Sequence, residues 1–276
     1  MSQIDYLVAG HVCADVTPDG LVMGGTAAYS AKTAQVLGCR TAVLTSTAAD
    51  YQLCDALTGI AICRVEAENT TTFENVYTPQ GRQQGIHAVA DRLTAEHVPE
   101  AWRRASIVHL GPIANEVDPE IIGAFTNSTI GFTPQGWMRC WDEDGRVFAR
   151  EWPAAPRLLP RAAVVVLSKE DLLNDEMLPL YRRWSKLLVL TQGRAGCTVF
   201  FGDDERHFPA PRVKEVEPTG AGDIFAAAFL VRLYQTAGNP WEAARFANKI
   251  AAQSVTQAGI DGKIAAIKRL LSRNEA

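Results

Sequence analysis

Short apolar runs alternate along the chain with segments of helical character. Five of the runs are apolar on both alternating faces, which is typical of strands buried inside a parallel sheet. They occupy residues 4–10, 41–47, 107–112, 163–168 and 187–191. Helices are predicted at residues 25–38, 118–127 and 175–185, and two more within 222–257, separated at Gly238-Asn239-Pro240. This alternation predicts one α/β domain over residues 1–276.

One region departs from the alternation. Residues 69–88 are rich in Thr, Val, Tyr and Phe and contain a turn at 78–81, which predicts a β-hairpin with no helix behind it. Residues 15–23 can pair with this hairpin. We expect a small antiparallel flap beside the main sheet, serving as a lid; the alternative is an ordinary hairpin of the fold.

The composition excludes several classes of protein. The chain has 276 residues, a formal net charge of −4 and no long basic run, so neither nucleic acid nor an anionic membrane is an expected partner. No apolar run reaches the ~18 residues of a membrane helix, and the first residues lack the basic start of a signal peptide. The six cysteines form no C-x-x-C pair, which indicates reduced thiols in the cytoplasm, and the five dispersed histidines offer no zinc site.

A glycine-rich stretch at residues 216–229, VEPTGAGDIFAAAF, carries the candidate chemistry. It lacks the Gly-Lys-Ser/Thr of a P-loop and the third glycine of a dinucleotide fingerprint. The apolar run predicts a buried helix, whose first amides, in residues 220–222, attract an anion. Asp223 in the first turn can then accept the proton of an attacking hydroxyl during phosphoryl transfer. The alternative is a plain glycine turn in which Asp223 only favours the start of the helix.

The same stretch resembles the D-T-x-G-A-G-D signature of the ribokinase-like carbohydrate kinases, the PfkB family. Residues 24–38, GGTAAYSAKTAQVLG, are similar to the family's G-G-x-x-x-N-x-A segment, and the other features follow in the family's order over almost the whole chain. The resemblance implies a three-layer α/β/α sandwich with a mostly parallel central sheet and a small β-flap. It also implies ATP and Mg²⁺ as cofactors.

The resemblance assigns roles on the acceptor side. Asp223 is the catalytic base, and the amides of Gly220, Ala221 and Gly222 form the anion hole. Asp15 binds substrate hydroxyls, although it can also be a turn residue. Gly24 and Gly25 line the acceptor pocket, where their missing side chains make room.

A second segment bears on the acceptor. TPQGWMRCW, residues 133–141, is similar to a D-x-Q-G-x-x-R stretch in a branch of the family that includes inositol and nucleoside kinases. Gln135 can read hydroxyl groups, and Arg139 can hold a phosphate through two parallel hydrogen bonds. Both can also be ordinary loop residues.

The nucleotide side is assigned by looser matches. Residues 191–196, TQGRAG, resemble the family's T-x-G-x-x-G turn at the ATP site, and Asn248 matches a position that often faces the adenine, although it can equally be an exposed helical residue. The full set of nucleotide residues implied is Ser168, Thr191, Gly193, Gly196, Thr219 and Asn248. Asp171 is the candidate residue for Mg²⁺, acting through a water molecule.

The chain also departs from the family pattern. The N-x-x-E motif, which organises metal and phosphates, reads Ser168-Lys169-Glu170-Asp171, and the shorter side chains change its reach. The first aspartate of the signature is Glu217, and Pro218 replaces a threonine. The helix asparagine after the glycine pair is Tyr29 or Ser30, in the region where acceptor specificity is set.

These observations predict an ATP- and Mg²⁺-dependent kinase that phosphorylates a hydroxyl of a small sugar, an inositol-like cyclitol or a nucleoside. The alternative is a catalytically impaired protein of the same fold that binds a ligand or regulates a partner, because the metal motif is altered. A kinase of an already phosphorylated acceptor is a third possibility, with Arg82 and Arg139 as the available cations. A homodimer formed through the flap is expected from relatives and from its open strand edge.

Overall fold

The structure is a computed structural model that describes residues 3–53, 57–78 and 81–273. Within these ranges the chain forms fifteen strands, β1–β15, at Tyr6–Ala9, Cys13–Thr17, Gly20–Gly24, Thr41–Ala48, Ala61–Ala67, Thr72–Thr78, Gly81–Ala88, Ile107–Leu110, Thr129–Phe132, Arg139–Trp141, Val147–Ala149, Val164–Ser168, Leu187–Thr191, Cys197–Phe201 and Asp204–Phe208. It also forms six α-helices, α1–α6, at Thr26–Val36, Ala155–Leu158, Met177–Trp184, Ala221–Gln235, Pro240–Ser254 and Gly259–Ser272. No helix in the described part of the chain is long and apolar enough to cross a membrane.

The main sheet has nine strands in the order β15-β14-β13-β12-β9-β8-β1-β4-β5. The strands from β13 to β5 in this order are parallel, and β14 and β15 are added antiparallel at one edge. The five strands predicted from apolar runs are β1, β4, β8, β12 and β13, all in the parallel part. The predicted α/β fold class is therefore confirmed, and the carboxyl ends of the parallel strands share one edge, where α/β sheets form their ligand crevice.

Helices cover both faces of this sheet. In β1, Tyr6 and Val8 pack into a core with α1, α4, α5 and α6, whereas Leu7 and Ala9 pack into a second core with α2, α3 and 3-10 helices. All four of these strand side chains are fully buried. The sandwich therefore has three layers. This explains why the five apolar runs that predicted strands are apolar on both faces.

Some predicted elements differ from those observed. The helix expected at 118–127 is a 3-10 helix over Pro119–Ala124, ended by an extended Phe125 and by Asn127 at a positive φ of 64°. Helix α6 and strands β5, β14 and β15 were not predicted from the sequence. Edge strand β15, DERHF, is polar because it is largely exposed, so it lacks the apolar signal of a buried strand. The pair of helices within 222–257 is confirmed as α4 and α5, with Asn239 capping α5 through its side chain.

A second sheet of four strands, in the order β3-β2-β6-β7, forms the flap. Two of its pairings are antiparallel as expected, but β2 and β6 run parallel, because the chain passes through β4 and β5 of the main sheet between them. Asp15 and Phe73 are register partners across that parallel pair. The tip of the expected hairpin, at Pro79 and Gln80, lies outside the described residues.

A small hairpin, β10–β11, braces the flap from the side. The amide of Ile86 in β7 donates to the carbonyl of Gly145 at 2.8 Å, and Gly85 bridges Arg146. Gly145 has φ 77°, and a Cβ there would lie 2.3 Å from the carbonyl oxygen of Ile86. Only glycine fits this contact. Because Arg139 begins β10, this brace links the flap directly to a predicted site residue.

Candidate active site

Two helices begin side by side at the crevice, and they fix the predicted base between them. The hydroxyl of Thr26, the first residue of α1, donates to Asp223 Oδ1 at 2.6 Å. One turn further along α1, the Ser30 hydroxyl donates to the backbone oxygen of Asp223 at 3.3 Å. The carboxylate therefore has one oxygen oriented by α1, and the first turn of α4 is held against that helix.

A tight turn leads into α4. The Ala221 amide donates to the Pro218 carbonyl at 3.0 Å, and Gly220 between them has φ 76° and ψ −1°. These angles belong to the third residue of a type II turn, where glycine is strongly preferred. The amide of Ala221 is thus used by the turn. Within the described ranges the amides of Gly220, Gly222 and Asp223 have no acceptor, so the amide set differs from the predicted one by a single member.

The ring of Tyr29 closes over this turn. A Cβ added at Gly220 would lie 2.6 Å from three ring atoms of Tyr29, which is nearly fully buried. Tyr29, one of the two residues that can match the family's helix asparagine, thus packs its ring on the glycine. Burial raises the pKa of Tyr29, and the charges of Glu217, Asp15 and Asp223 raise it further.

Substituting Gly220 by alanine tests the turn. We expect Gly220→Ala to lower kcat by roughly tenfold to a hundredfold, because both the positive φ and the Tyr29 ring oppose a Cβ and the free amides shift. Gly123→Ala is the matched control, since Gly123 has open space around its Cβ position and an ordinary φ. Steady-state kinetics and melting temperatures of the two variants give the comparison. A Gly220→Ala enzyme with unchanged kcat would contradict this account of the turn.

The electrostatic surroundings make Asp223 a stronger base than an ordinary carboxylate. Burial raises the pKa of Asp223 to about 6, the hydrogen bond from Thr26 and the charge of Arg139 oppose the rise, and the charges of Asp171 and Asp15 add to it. A group with this pKa is mostly ionised at neutral pH, yet holds a proton more firmly than an exposed aspartate. Such a perturbed carboxyl in a cleft is a candidate for acid–base chemistry.

The predicted metal residue joins the two acceptor candidates. Asp171 Oδ1 accepts from Gln135 Nε2 at 3.1 Å and lies 3.8 Å from Arg139 Nη2. Asp171 Oδ2 accepts from the amide of Ser168 at 3.0 Å, closing a capping box in which the Ser168 hydroxyl accepts from the Glu170 amide. The side chains of Asp171 and Arg139 are 10% and 11% exposed. The Ser-x-x-Asp segment thus forms a compact turn whose carboxylate faces Arg139 and Gln135.

The fit of Mg²⁺ to these residues rests on Asp171 alone. Among the described residues, no group of three or more His, Cys, Asp or Glu side chains is placed to hold a metal ion. Mg²⁺ at phosphoryl-transfer sites is usually held by one or two carboxylates, phosphate oxygens and water. A carboxylate has about four acceptor positions, so Asp171 retains capacity for a water-mediated contact. The residues present fit Mg²⁺ in that limited sense.

The residues predicted to bind the nucleotide lie mainly on the turn after β13 and on helix α5. Gly193 and Gly196, with φ of 55° and 101°, flank a short 3-10 turn after β13, and the Thr191 hydroxyl at the end of that strand donates to the Leu167 carbonyl at 3.3 Å. Asn248 is 5% exposed and donates through Nδ2 to the Phe208 carbonyl at 2.8 Å. The alternative of an exposed helical asparagine is therefore wrong. Thr219 lies in the turn directly before Gly220, and its predicted role at the nucleotide stays a prediction.

The glycine pair is explained by its neighbours. A Cβ at Gly24 would lie 2.1 Å from Asp15 Oδ2, and one at Gly25, where φ is 91°, would lie 2.5 Å from the carbonyl of His11. Both glycines therefore allow close approach: Gly24 to the carboxylate of the predicted substrate aspartate, and Gly25 to the backbone after β1. Asp15 stands on β2 of the flap, and it is near enough to Asp223 for its charge to raise the pKa of that carboxyl.

Sequence reasoning missed a buried carboxylate behind this space. Glu116, 3% exposed, accepts from the amides of His11, Ile113 and Ala114 at 2.7–3.0 Å. Glu116 joins the loop after β1 to the loop after β8. No local sequence pattern predicts this contact, because His11 is 105 residues away in the chain. Thr26 was also missed, although its place directly after the glycine pair was an available signal.

Removing Glu116 should cost stability. We expect Glu116→Ala to lower the free energy of unfolding by about 3 kcal/mol or more, because three buried amides lose their acceptor. Glu120→Ala is the matched control: its exposed ion pair with Arg157 should contribute less than about 1 kcal/mol. Urea unfolding measures both. Equal, small losses in the two variants would show that Glu116 does not organise these loops.

Comparison with known proteins gives the class of this chain. The model described as "pfkB family carbohydrate kinase" matches residues 169–265. A cytidine kinase of Thermococcus kodakarensis is 27% identical over 247 residues, covering 82% of this chain and 87% of that protein. Fructokinase-1 of Zea mays is 33% identical over 226 residues, covering 74% and 67%. The chain therefore belongs to the pfkB family of carbohydrate kinases and is a phosphotransferase.

A solved structure supports the fold. A pyrophosphate-dependent kinase in the ribokinase family, complexed with a pyrophosphate analogue and myo-inositol, superimposes with a TM-score of 0.79. It is 21% identical and covers 92% of this chain and 96% of that one. The ribokinase-like sandwich implied by the sequence resemblance is therefore confirmed.

Proposed function

We propose that the protein transfers the terminal phosphoryl group of ATP to a hydroxyl of a small sugar, inositol-like cyclitol or nucleoside, with Asp223 as the general base. The observation that carries this proposal is the oriented Asp223 carboxylate, with a pKa raised to about 6, beside three amides that have no acceptor in the described ranges. Base and anion donors at one helix start are the two elements that in-line phosphoryl transfer requires.

Each residue has a defined task in this scheme. Asp15 orients the acceptor hydroxyls from the flap, and Gly24 leaves the space beside it. Asp223 accepts the proton of the attacking hydroxyl as the bond to phosphorus forms. The amides of Gly220 and Gly222, with the α4 dipole, stabilise negative charge on the transferred group.

Arg139, a candidate on the acceptor side, and Asp171, the candidate metal residue, supply the remaining charges of the site. Arg139 lies near both Asp171 and Asp223, and its guanidinium can bind a phosphate group at this place. Mg²⁺, when bound, supplies charge neutralisation on the phosphates, and Asp171 is the residue to hold it through water. Closure of the flap over the acceptor excludes water, which limits hydrolysis of the donor.

Two further parts of the proposal concern the protein's setting. The five cysteines that the structure describes as free support a reducing compartment such as the cytoplasm. The open edge of the flap at β3 carries Leu21 and Val22, 65% and 49% exposed, which supports a homodimer formed through the flaps.

An acceptor panel tests the proposal. Wild-type protein is assayed by ³¹P NMR with sugars, cyclitols and nucleosides, each with Mg²⁺-ATP and with Mg²⁺-pyrophosphate, since one structural relative uses pyrophosphate. Acceptor-dependent product establishes the kinase and identifies its acceptor class and donor. If no pair gives product while calorimetry detects binding of a donor or an acceptor, the alternative of a catalytically impaired binding protein is favoured, with Ser168 and Asp171 as the first residues to restore.

A further inference from the structure

One buried cation lies directly behind the signature stretch. Lys263 on α6 has no exposed side-chain surface. Its ammonium donates to the backbone carbonyl of Glu217 at 2.6 Å and lies 3.9 Å from Glu217 Oε2. Burial lowers the pKa of Lys263, while the charges of Glu217 and Glu215 oppose that change. Lysine is rarely buried without a reason, because desolvating its charge is costly.

The partner of this cation is the residue where the chain departs from the family signature. Three polar groups of Glu217 are used: its amide donates to the Val255 carbonyl at 3.2 Å, its Oε2 accepts from the Gly259 amide at 2.7 Å, and its carbonyl accepts from Lys263. Glu217 thus joins the end of α5 and the start of α6. The carboxylate of this glutamate accepts from the amide at the start of α6.

The bond to the carbonyl fixes the peptide that precedes the anion turn. The carbonyl of Glu217 belongs to the 217–218 peptide, and the next carbonyl, that of Pro218, accepts from Ala221 to close the turn. The proline ring fixes φ of residue 218, so ψ of that residue is the one soft dihedral between the two carbonyls, and the hydrogen bond from Ala221 restrains the second carbonyl. The orientation of the amides of Gly220 and Gly222 therefore depends on a peptide plane that the Lys263 ammonium holds.

We propose that Lys263 is a positioning residue for phosphoryl transfer, which holds the 217–218 peptide so that the turn at Gly220 presents its free amides to the transferred phosphoryl group. This inference rests on the proposed function of the same turn. It assigns the Glu217 departure a role: the glutamate and the lysine form one unit that joins α6 to the anion-binding amides. The ammonium also adds positive potential behind that anion site.

Three variants test the proposal. Lys263→Met keeps the length and apolar stem but removes the charge and the donor. Lys263→Met/Glu217→Gln removes both charges, so that no unpaired carboxylate remains. Ile267→Ala is the matched control: Ile267 is a fully buried residue on the same helix, and its truncation weakens the packing of α6 without touching the 217–218 peptide.

Two readouts separate positioning from folding. Kinetics with the acceptor identified by the panel should show kcat lowered about 10²-fold in Lys263→Met, with the acceptor KM changed by less than about threefold. Thermal protection by inorganic pyrophosphate, which needs no turnover, should be present in the wild type and in Ile267→Ala and be lost in Lys263→Met. The double variant should regain melting temperature but neither kcat nor protection, because the donor to the Glu217 carbonyl is still absent.

The opposite pattern would overturn the proposal. A double variant with wild-type kcat, or a Lys263→Met variant with full pyrophosphate protection, would show that Lys263 only stabilises the fold. If the wild type transferred phosphate to no acceptor, the proposed function would fail, and the comparison of pyrophosphate protection between the variants would still decide the role of Lys263.

Discussion

Asp223→Asn is expected to lower kcat by about 10³-fold or more, because a positioned general base contributes roughly 10²–10⁴ to the rate and an amide cannot accept the proton. The substitution is close to isosteric. The asparagine oxygen can still accept from the Thr26 hydroxyl, and the Ser30 contact is to the backbone and is unchanged. The geometry of the α4 start should therefore survive, and binding of donor and acceptor should change little.

The melting temperature of Asp223→Asn shows whether the variant is folded, which is the control for its loss of activity. The folded pKa of Asp223, about 6, lies above its ordinary value of 3.8, so the folded state holds the proton more firmly than the unfolded state. Stability therefore falls as pH rises through that window, and it stays lower above it. Asp223→Asn should melt at or above the wild-type temperature at pH 8, and Asp204→Asn, at an exposed ion pair, should leave kcat unchanged. A kcat within tenfold of wild type in a folded Asp223→Asn protein would show that Asp223 is not the general base.

Arg139→Met is also expected to have a large effect, lowering kcat by about 10²-fold. Arg139 is nearly buried, faces Asp171, and lowers the pKa of Asp223. Its loss removes a cation from the place where phosphate charge develops, and it also removes the charge that keeps Asp223 ionised. The acid limb of the pH–rate profile should therefore move to higher pH.

The shift of that limb distinguishes Arg139 from a residue that only packs. Arg157→Met is the matched control, because Arg157 forms an exposed pair with Glu120, 56% and 63% exposed. It should change neither kcat nor the limb. An Arg139→Met enzyme with an unmoved limb and kcat within about threefold of wild type would show that the arginine serves only the β10 brace.

Much of the fold was accessible from local pattern. Helices cover both sides of the sheet, so its central strands are buried on both faces and have consecutive apolar residues. These strands are β1, β4, β8, β12 and β13. The edge strands β5 and β15 lack this signal, because each pairs with only one neighbouring strand and most of its residues are at least partly exposed. Helix α6 was missed although Ile260, Ile264 and Ile267 have helical spacing.

The candidate site divides in the same way. Asp223 and the glycine turn form one contiguous motif, so sequence alone could predict that they lie together at the start of α4. Thr26 reaches Asp223 across 197 positions, and Glu116 reaches His11 across 105, so these contacts exist only once the sheet has brought the loops together. The amide of Ala221 is hydrogen-bonded within the turn, and local sequence does not announce this, because the turn depends on the conformation at Gly220.

The pH dependence of kcat/KM for the wild-type enzyme, with the identified acceptor and saturating donor, tests the central claim most directly. A single essential base with the environment of Asp223 should give a plateau at neutral and alkaline pH and an acid limb near pH 6, below which the rate falls tenfold for each pH unit. A profile that is flat from pH 5 to pH 8 would contradict the account, because the rate would then not depend on ionisation of Asp223.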